Sequence, residues 1–212
     1  MKKLQWTPEL RTRLALCIVG NLILGLGVAL TKLAAFGTDP FNGMCMAVSD
    51  RIGLPYAVYT PIFNFVLFGF ELLFGRKYIH IGTFVNWFLL CYAVSFFLWV
   101  ADLLGCTAVS GWVPRLAVLA VGLIVISFGL ALYQRADLGV APYDAIPLMV
   151  CDRWPPVPFF WARVALDGLS TAVIVLAGGV AGLGTLLTAL ALGPVVDFFM
   201  HRIDRWTRAR AA

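Results

Sequence analysis

Charge is what this chain has least of. Only 13% of its 212 residues are Asp, Glu, Lys or Arg, against 61% hydrophobic residues and a mean hydropathy of +0.91. That balance excludes a water-soluble globule. The 2 histidines, His80 and His201, lie far apart, and the 5 cysteines are an odd number without CxxC spacing, so neither a metal site nor a disulfide framework is expected. Cys17, Cys45, Cys91, Cys106 and Cys151 read instead as small apolar residues. There is no HExxH, no GxSxG and no P-loop, which argues against an enzyme and leaves no catalytic residue or cofactor to name. The net charge of +5 comes from basic residues at the ends of apolar runs, a membrane pattern rather than a nucleic-acid one.

What is present is long uncharged runs. Leu14 to Thr31, Ile52 to Phe70, Ile81 to Ala101 and Leu116 to Gln134 each reach or approach the ~20 helical residues that cross a bilayer core. A fifth, Gly168 to Val196, is broken by its glycines. The expected class is an all-α integral membrane protein whose environment is the lipid bilayer.

One stretch occurs twice. Gly27 to Arg51, GVALTKLAAFGTDPFNGMCMAVSDR, returns as Gly129 to Arg153, GLALYQRADLGVAPYDAIPLMVCDR, at a constant offset of 102. Gly37/Gly139, Pro40/Pro142, Asp50/Asp152 and Arg51/Arg153 match, as do Arg13-Leu14-Ala15 with Arg115-Leu116-Ala117 and Gly82-Thr83 with Gly184-Thr185. Shared apolar composition would scatter Leu and Val matches, not align Gly, Pro and Asp-Arg at one offset. The expectation is a single membrane domain, 1–212, containing an internal repeat of 13–97 and 115–199, with basic ends at 1–12 and 201–212.

In chain order, MKKLQWTPELRTR is a basic lead-in with Trp6 suited to the interface, followed by a span from about Leu14 to Ala35. Its small residues, Gly20, Gly25, Gly27 and Ala29, suit close helix packing. Asp39-Pro40 is a helix start, with Asp as N-cap and Pro at the first helical position. The helices over 40–52 and 142–153 are too short to span, since ~12 residues cover only ~18 Å, and Pro147 disturbs the second. They are half-helices, either re-entrant or interfacial. Spans follow at about 56–74, 81–101, 115–135, 159–177 and 183–199, with GGVAGLG as a tight turn before the last. Three spans per unit is an odd number, so the two copies lie in opposite orientations as an inverted repeat. Counting Lys and Arg places both termini and the Arg76-Lys77 loop in the cytoplasm, with Lys32, Arg51 and Arg115 outside.

GLALYQRADLGVAPYD, GGVAGLGT and LGPVVDFF resemble the motifs of the YczE/YyaS/YitT group of small bacterial inner-membrane proteins. The first copy departs from the pattern, carrying Cys91-Tyr92 where the second has Gly193-Pro194. The resemblance implies a multi-pass protein of the bacterial inner membrane and no particular biochemical activity.

An ionisable residue at membrane depth is a functional candidate by default. Asp167 lies about eight residues into its span, roughly 12 Å deep, with Arg163 four residues earlier on the same face. The nearest counterpart in the first copy is Asn64, one residue out of register. A structural ion pair is the plainer reading of these residues. The half-helix starts are the second candidates: Asp39, Pro40 and Asn42 in one copy, Pro142 and Asp144 in the other. Free N–H groups there attract anions, whereas the Asp side chains favour cations, so the sign of a ligand stays open. Glu71 is expected to snorkel beside Arg76-Lys77, and Asp197 to sit at the interface near His201.

The best function class is a small secondary transporter or permease for an unidentified small molecule or ion, with a site between the repeats. A non-catalytic partner or assembly subunit of a larger membrane complex is the alternative. Self-association is also open; nucleic acid is not an expected partner.

Overall fold

The computed structural model describes residues 8–106 and 109–211, with side chains over 9–106, 109–190 and 192–203. Lys2, Lys3 and Trp6 of the lead-in and the side chains of Arg205, Arg208 and Arg210 lie outside the described residues. The chain is all helical among those residues: α1 (Pro8–Ala34), α2 (Pro40–Ile52), α3 (Tyr56–Phe74), α4 (Ile81–Leu103), α5 (Trp112–Arg135), α6 (Pro142–Arg153), α7 (Phe159–Leu176) and α8 (Leu183–Ala211). Five of these, α1, α3, α4, α5 and α7, are long and apolar enough to cross a membrane. Counting α8 despite its 49° bend between Leu190 and Leu192 makes six. Pro194 accounts for the bend, because it cannot donate to the carbonyl of residue 190. The helix then runs on through the basic tail, past the expected end near Phe199.

The protein is a multi-pass membrane protein. Large apolar side chains stand exposed along its flanks, Phe65, Leu73, Phe74 and Leu176 among them, as lipid-facing surfaces do. The core lies inside, where Leu24, Val28, Met46, Leu90, Val94 and Ile126 pack together.

α1 and α5 form the central pair, and glycines bring them together. A Cβ at Gly20 would meet Tyr133 N at 2.6 Å and Gly129 O at 2.9 Å; one at Gly27 would meet Ile126 N at 2.6 Å and Gly122 O at 3.1 Å. Advancing along α1 therefore means retreating along α5, so the two run antiparallel. Between lipid-bathed helices such close backbone approach supplies the dispersion that hydrophobicity does not.

Each of α1 to α4 has a counterpart at the offset of 102 in α5 to α8, and the contacts exchange across the halves. Gly20 meets Gly129, and Gly122 meets Gly27. Arg13 Nε donates to Ala136 O at 2.8 Å at the end of α5, while Arg115 Nε donates to Ala34 O at 2.8 Å at the end of α1. Each arginine thus satisfies end carbonyls of the other half's helix. Gly82 N donates to Leu138 O at 2.6 Å, and Gly184 N to Phe36 O at 2.8 Å. Gly37 and Gly139 both need left-handed backbone, with φ of 91° and 104°, where the chain turns toward a half-helix.

Ion pairs mark two ends of the molecule. Arg13–Asp137 at 2.6 Å and Lys77–Asp152 at 2.7 Å lie at one, Lys32–Asp50 at 3.8 Å at the other. Glu71 is not the expected snorkelling residue. It is fully buried on α3, and neither carboxylate oxygen has a partner. Its expected cations are engaged elsewhere, since Arg76 Nε bonds Leu72 O at 2.8 Å and Lys77 pairs with Asp152. Asp197 does lie exposed, 3.4 Å from His201.

Candidate functional site

The start of α2 is built by its own cap. Asp39 Oδ1 accepts from Asn42 N at 3.0 Å, Pro40 takes the first position where no donor is needed, and Gly53 closes the helix in left-handed backbone with φ of 73°. The Asn42 amide donates to both Asp39 oxygens at 3.0 Å, and its own oxygen accepts from the Tyr56 hydroxyl. Thr38 adds a weaker bond to Asp39 at 3.3 Å and is itself held by Thr31 at 2.7 Å. Asp39 therefore has only uncharged partners.

The start of α6 follows the same backbone course with different chemistry. Ala141 occupies the cap position and has no capping side chain; its N–H donates to the Tyr133 hydroxyl at 2.6 Å. The helix continues through Pro147. Asp144, in its first turn, accepts from Arg163 Nη1 at 2.6 Å. Arg163 Nε reaches Asp167 Oδ2 at 3.1 Å, and the other Asp167 oxygen accepts from Tyr143 Oη at 2.8 Å. Tyr143 also meets Ser170 at 3.0 Å, and the guanidinium sits 5.3 Å from the Tyr143 ring centre. One cation serves two carboxylates, leaving the cluster one negative charge in excess.

The two starts face each other: the rings of Phe41 and Tyr143, which correspond at the offset of 102, are 4.5 Å apart. Beside them lies a cavity of about 60 Å³, bounded by Asp39 and Asn42 from one half-helix and Asp144 from the other, by Arg163, and by Thr60 and Asn64 from α3. Leu24, Leu90 and Ile126 line it too, so it sits midway along α1, α4 and α5. Asp144 and Arg163 also line a larger recess of about 370 Å³, which reaches Lys77, His80 and Asp137 at one end of the molecule. That ion pair stands between the central cavity and the recess.

Of the residues singled out in the sequence, Asp39, Asn42, Asn64, Asp144 and Arg163 meet around this cavity. Pro40 and Pro142 begin the two half-helices. Asp167 lies behind Arg163, 4% exposed, and its partners are Arg163 and Tyr143 rather than Asn64. Sequence reasoning passed over Tyr56, Thr60 and Ser170, and took Tyr143 only as part of the repeat. A hydroxyl among apolar residues on a span was the one available signal. Outside the spans, the Lys77 hydrogen bond holds the Asp152 carboxyl below its ordinary range, with Tyr78 Oη adding a bond at 2.8 Å. This ties the loop after α3 to the end of α6.

The family described as a family of unknown function, DUF6198, matches residues 11–201. An uncharacterised membrane protein of Bacillus subtilis (strain 168), YczE, is 28% identical over 196 residues, covering 90% of this chain and 86% of its own. The uncharacterised protein YyaS of the same organism is 25% identical over 187 residues, 88% of this chain and 92% of its own. An uncharacterised protein of Haemophilus influenzae (strain ATCC 51907 / DSM 11121 / KW20 / Rd) is 27% identical over 207 residues, 94% of this chain and 88% of its own. No solved structure matches.

Proposed function

The chain belongs to the DUF6198 family of unknown function, and on that premise we propose that it is a small secondary transporter or permease of the bacterial inner membrane, with its site between two inverted repeats. The observation that carries this reading is the pair of half-helices meeting start to start at a polar cavity halfway along the longer helices. Discontinuous helices that aim their starts at a central site are the device by which many transporters hold a solute at mid-depth.

The inverted repeat is supported by the exchange of contacts. When residue i of one half meets residue j of the other, and the counterpart of j meets the counterpart of i, a two-fold axis relates the halves. With α1 and α5 antiparallel, that axis runs across the helices, hence in the membrane plane. Re-entrance is supported by lengths. Thr38 is already back beside Thr31, three residues before the end of α1, and Asp39 lines the central cavity together with Leu24, about 15 Å of helix back from Ala34. α2 then returns to the level of Lys32, which pairs with Asp50. Arg13, Arg76, Lys77, Arg135 and Arg153 gather at the end that we assign to the cytoplasm, with both termini; Lys32, Arg51 and Arg115 lie at the other.

The alternative, a subunit of a larger complex, cannot use these glycines as an outward docking face, because Gly20, Gly27, Gly122 and Gly129 are used within this chain. The test is solute flux into liposomes holding the pure protein, alongside labelling of Lys77→Cys and Asp102→Cys. We expect labelling from opposite sides, flux of one solute class, and loss of flux in Asn64→Phe with folding retained. A folded protein that moves no solute and co-purifies with a stoichiometric membrane partner would overturn the reading.

A further inference from the structure

We propose that the central cavity binds one sodium-sized alkali cation, held by the Asp39 carboxylate with the side-chain oxygens of Thr60 and Asn64. This deepens the permease reading and rests on the same cavity. Three observations carry it.

The first is charge. Asp39, Asp144 and Asp167 bring three carboxylates to the site, and Arg163 brings one guanidinium. The starts of α2 and α6 add about half a positive charge each. The total is roughly −1, so a single monovalent cation neutralises the site. The deficit sits on Asp39, because Arg163 is committed to the other two carboxylates and the partners of Asp39 are all neutral.

The second is unused oxygen. Thr60 is 2% exposed and its hydroxyl, beside the Tyr56 hydroxyl and the Cys45 thiol, has no well-formed hydrogen bond; Asn64, one helical turn on, is 5% exposed. Both line the cavity. A hydroxyl buried this deeply is otherwise paired. Carboxylate, hydroxyl and amide oxygens are the ligand types that hard cations prefer. A proton on Asp39 would neutralise the charge but would leave the ligand set of α3 unexplained.

The third is size. About 60 Å³ admits an ion with a few waters, at ~10–15 Å³ for each, and is too small for a metabolite of many atoms.

The experiment is a thermal-unfolding titration of the whole chain in detergent with sodium, lithium, potassium or choline chloride at fixed ionic strength, repeated across a pH series. We expect a saturable one-site rise in Tm with sodium and none with choline. Asp39→Asn should abolish it while keeping the Tm in choline, since Asn caps a helix as well as Asp. Thr60→Val should weaken sodium at least about tenfold, and the exposed Asp102→Asn should leave the titration unchanged. Should Asp39→Asn fail to fold, Thr60→Val and direct binding of radioactive sodium decide. Equal curves for all salts, stabilisation by acid without sodium, or a sodium effect retained in Asp39→Asn or in a folded Thr60→Val would each overturn the site. Flux without sodium binding removes only the cation; sodium binding without any flux removes the permease and leaves the cation site standing.

Discussion

The starts of α2 and α6 occupy equivalent places and solve the same problem with opposite means. In the first, a capping Asp and an amide form a neutral-partnered cluster; in the second, the cap is a bare Ala and an arginine from α7 bridges two carboxylates. A position in the fold dictates that backbone ends must be covered and charge balanced, and leaves the groups that do so free to diverge. What stayed common is the part that touches backbone: the glycines of α1 and α5, and Arg13 and Arg115 at helix ends.

The largest expected effect breaks the charged cluster. Arg163→Met leaves the half-buried Asp144 and the buried Asp167 together without a cation, which should cost up to about 3–5 kcal/mol by reversible unfolding in detergent. Adding Asp144→Asn and Asp167→Asn should restore most of that loss if the cluster is structural. Asp167→Asn alone, in a folded protein with full flux, would show that this carboxylate serves structure only.

The parts that correspond at the offset of 102 should respond in pairs. Gly27→Ala and Gly129→Ala each drive a methyl against backbone, to 2.6 Å from Ile126 N and 2.5 Å from Leu24 N, so each should cost about 1–3 kcal/mol. Unequal losses would sharpen the comparison by showing where the two halves pack differently. Asp39→Ala should cost about 0.5–2 kcal/mol, the usual worth of an N-cap, whereas Ala141→Gly should change stability far less. A deficit for Asp39→Ala confined to ion binding would mean that its capping bond contributes little.

The smallest effect is in pH. Asp152 titrates below its ordinary 3.8, so the tie from Lys77 is complete above that value and is lost as pH falls through the lowered folded value. Lys77 titrates above its ordinary 10.5, so the tie persists up to that value and is lost as pH rises through the raised one. Proteolysis of the loop after α3 should therefore quicken only at the two extremes. In Asp152→Asn the acid limb should vanish.

The two short helices were legible because their signals are local: a Pro start and a length too short to span. Asn42, Asn64, Asp144 and Arg163 were legible as polar residues where few are tolerated. Tyr143 and Ser170 were not, since a partner chosen across helices leaves no periodic trace. Glu71 misled for the same reason: nearness in sequence to Arg76-Lys77 suggested partners, while helix packing buried it away from both. The run of α8 beyond Phe199 was hidden because HRIDRWTRAR is polar yet fully compatible with a helix.

The crossed arginines also set an order of events during synthesis. The end of α1 finishes 81 residues before Arg115, whose guanidinium covers its last carbonyls. At ~5–20 residues per second, the ribosome leaves that helix end bare for roughly 4–16 s. Through that interval Gly20 and Gly27 have no native partner either, because theirs lie on α5, which carries Arg115 in its first turn. The first half can dock α1 on α4 in the meantime, but the side of α1 that belongs to α5 waits bare until the second half emerges.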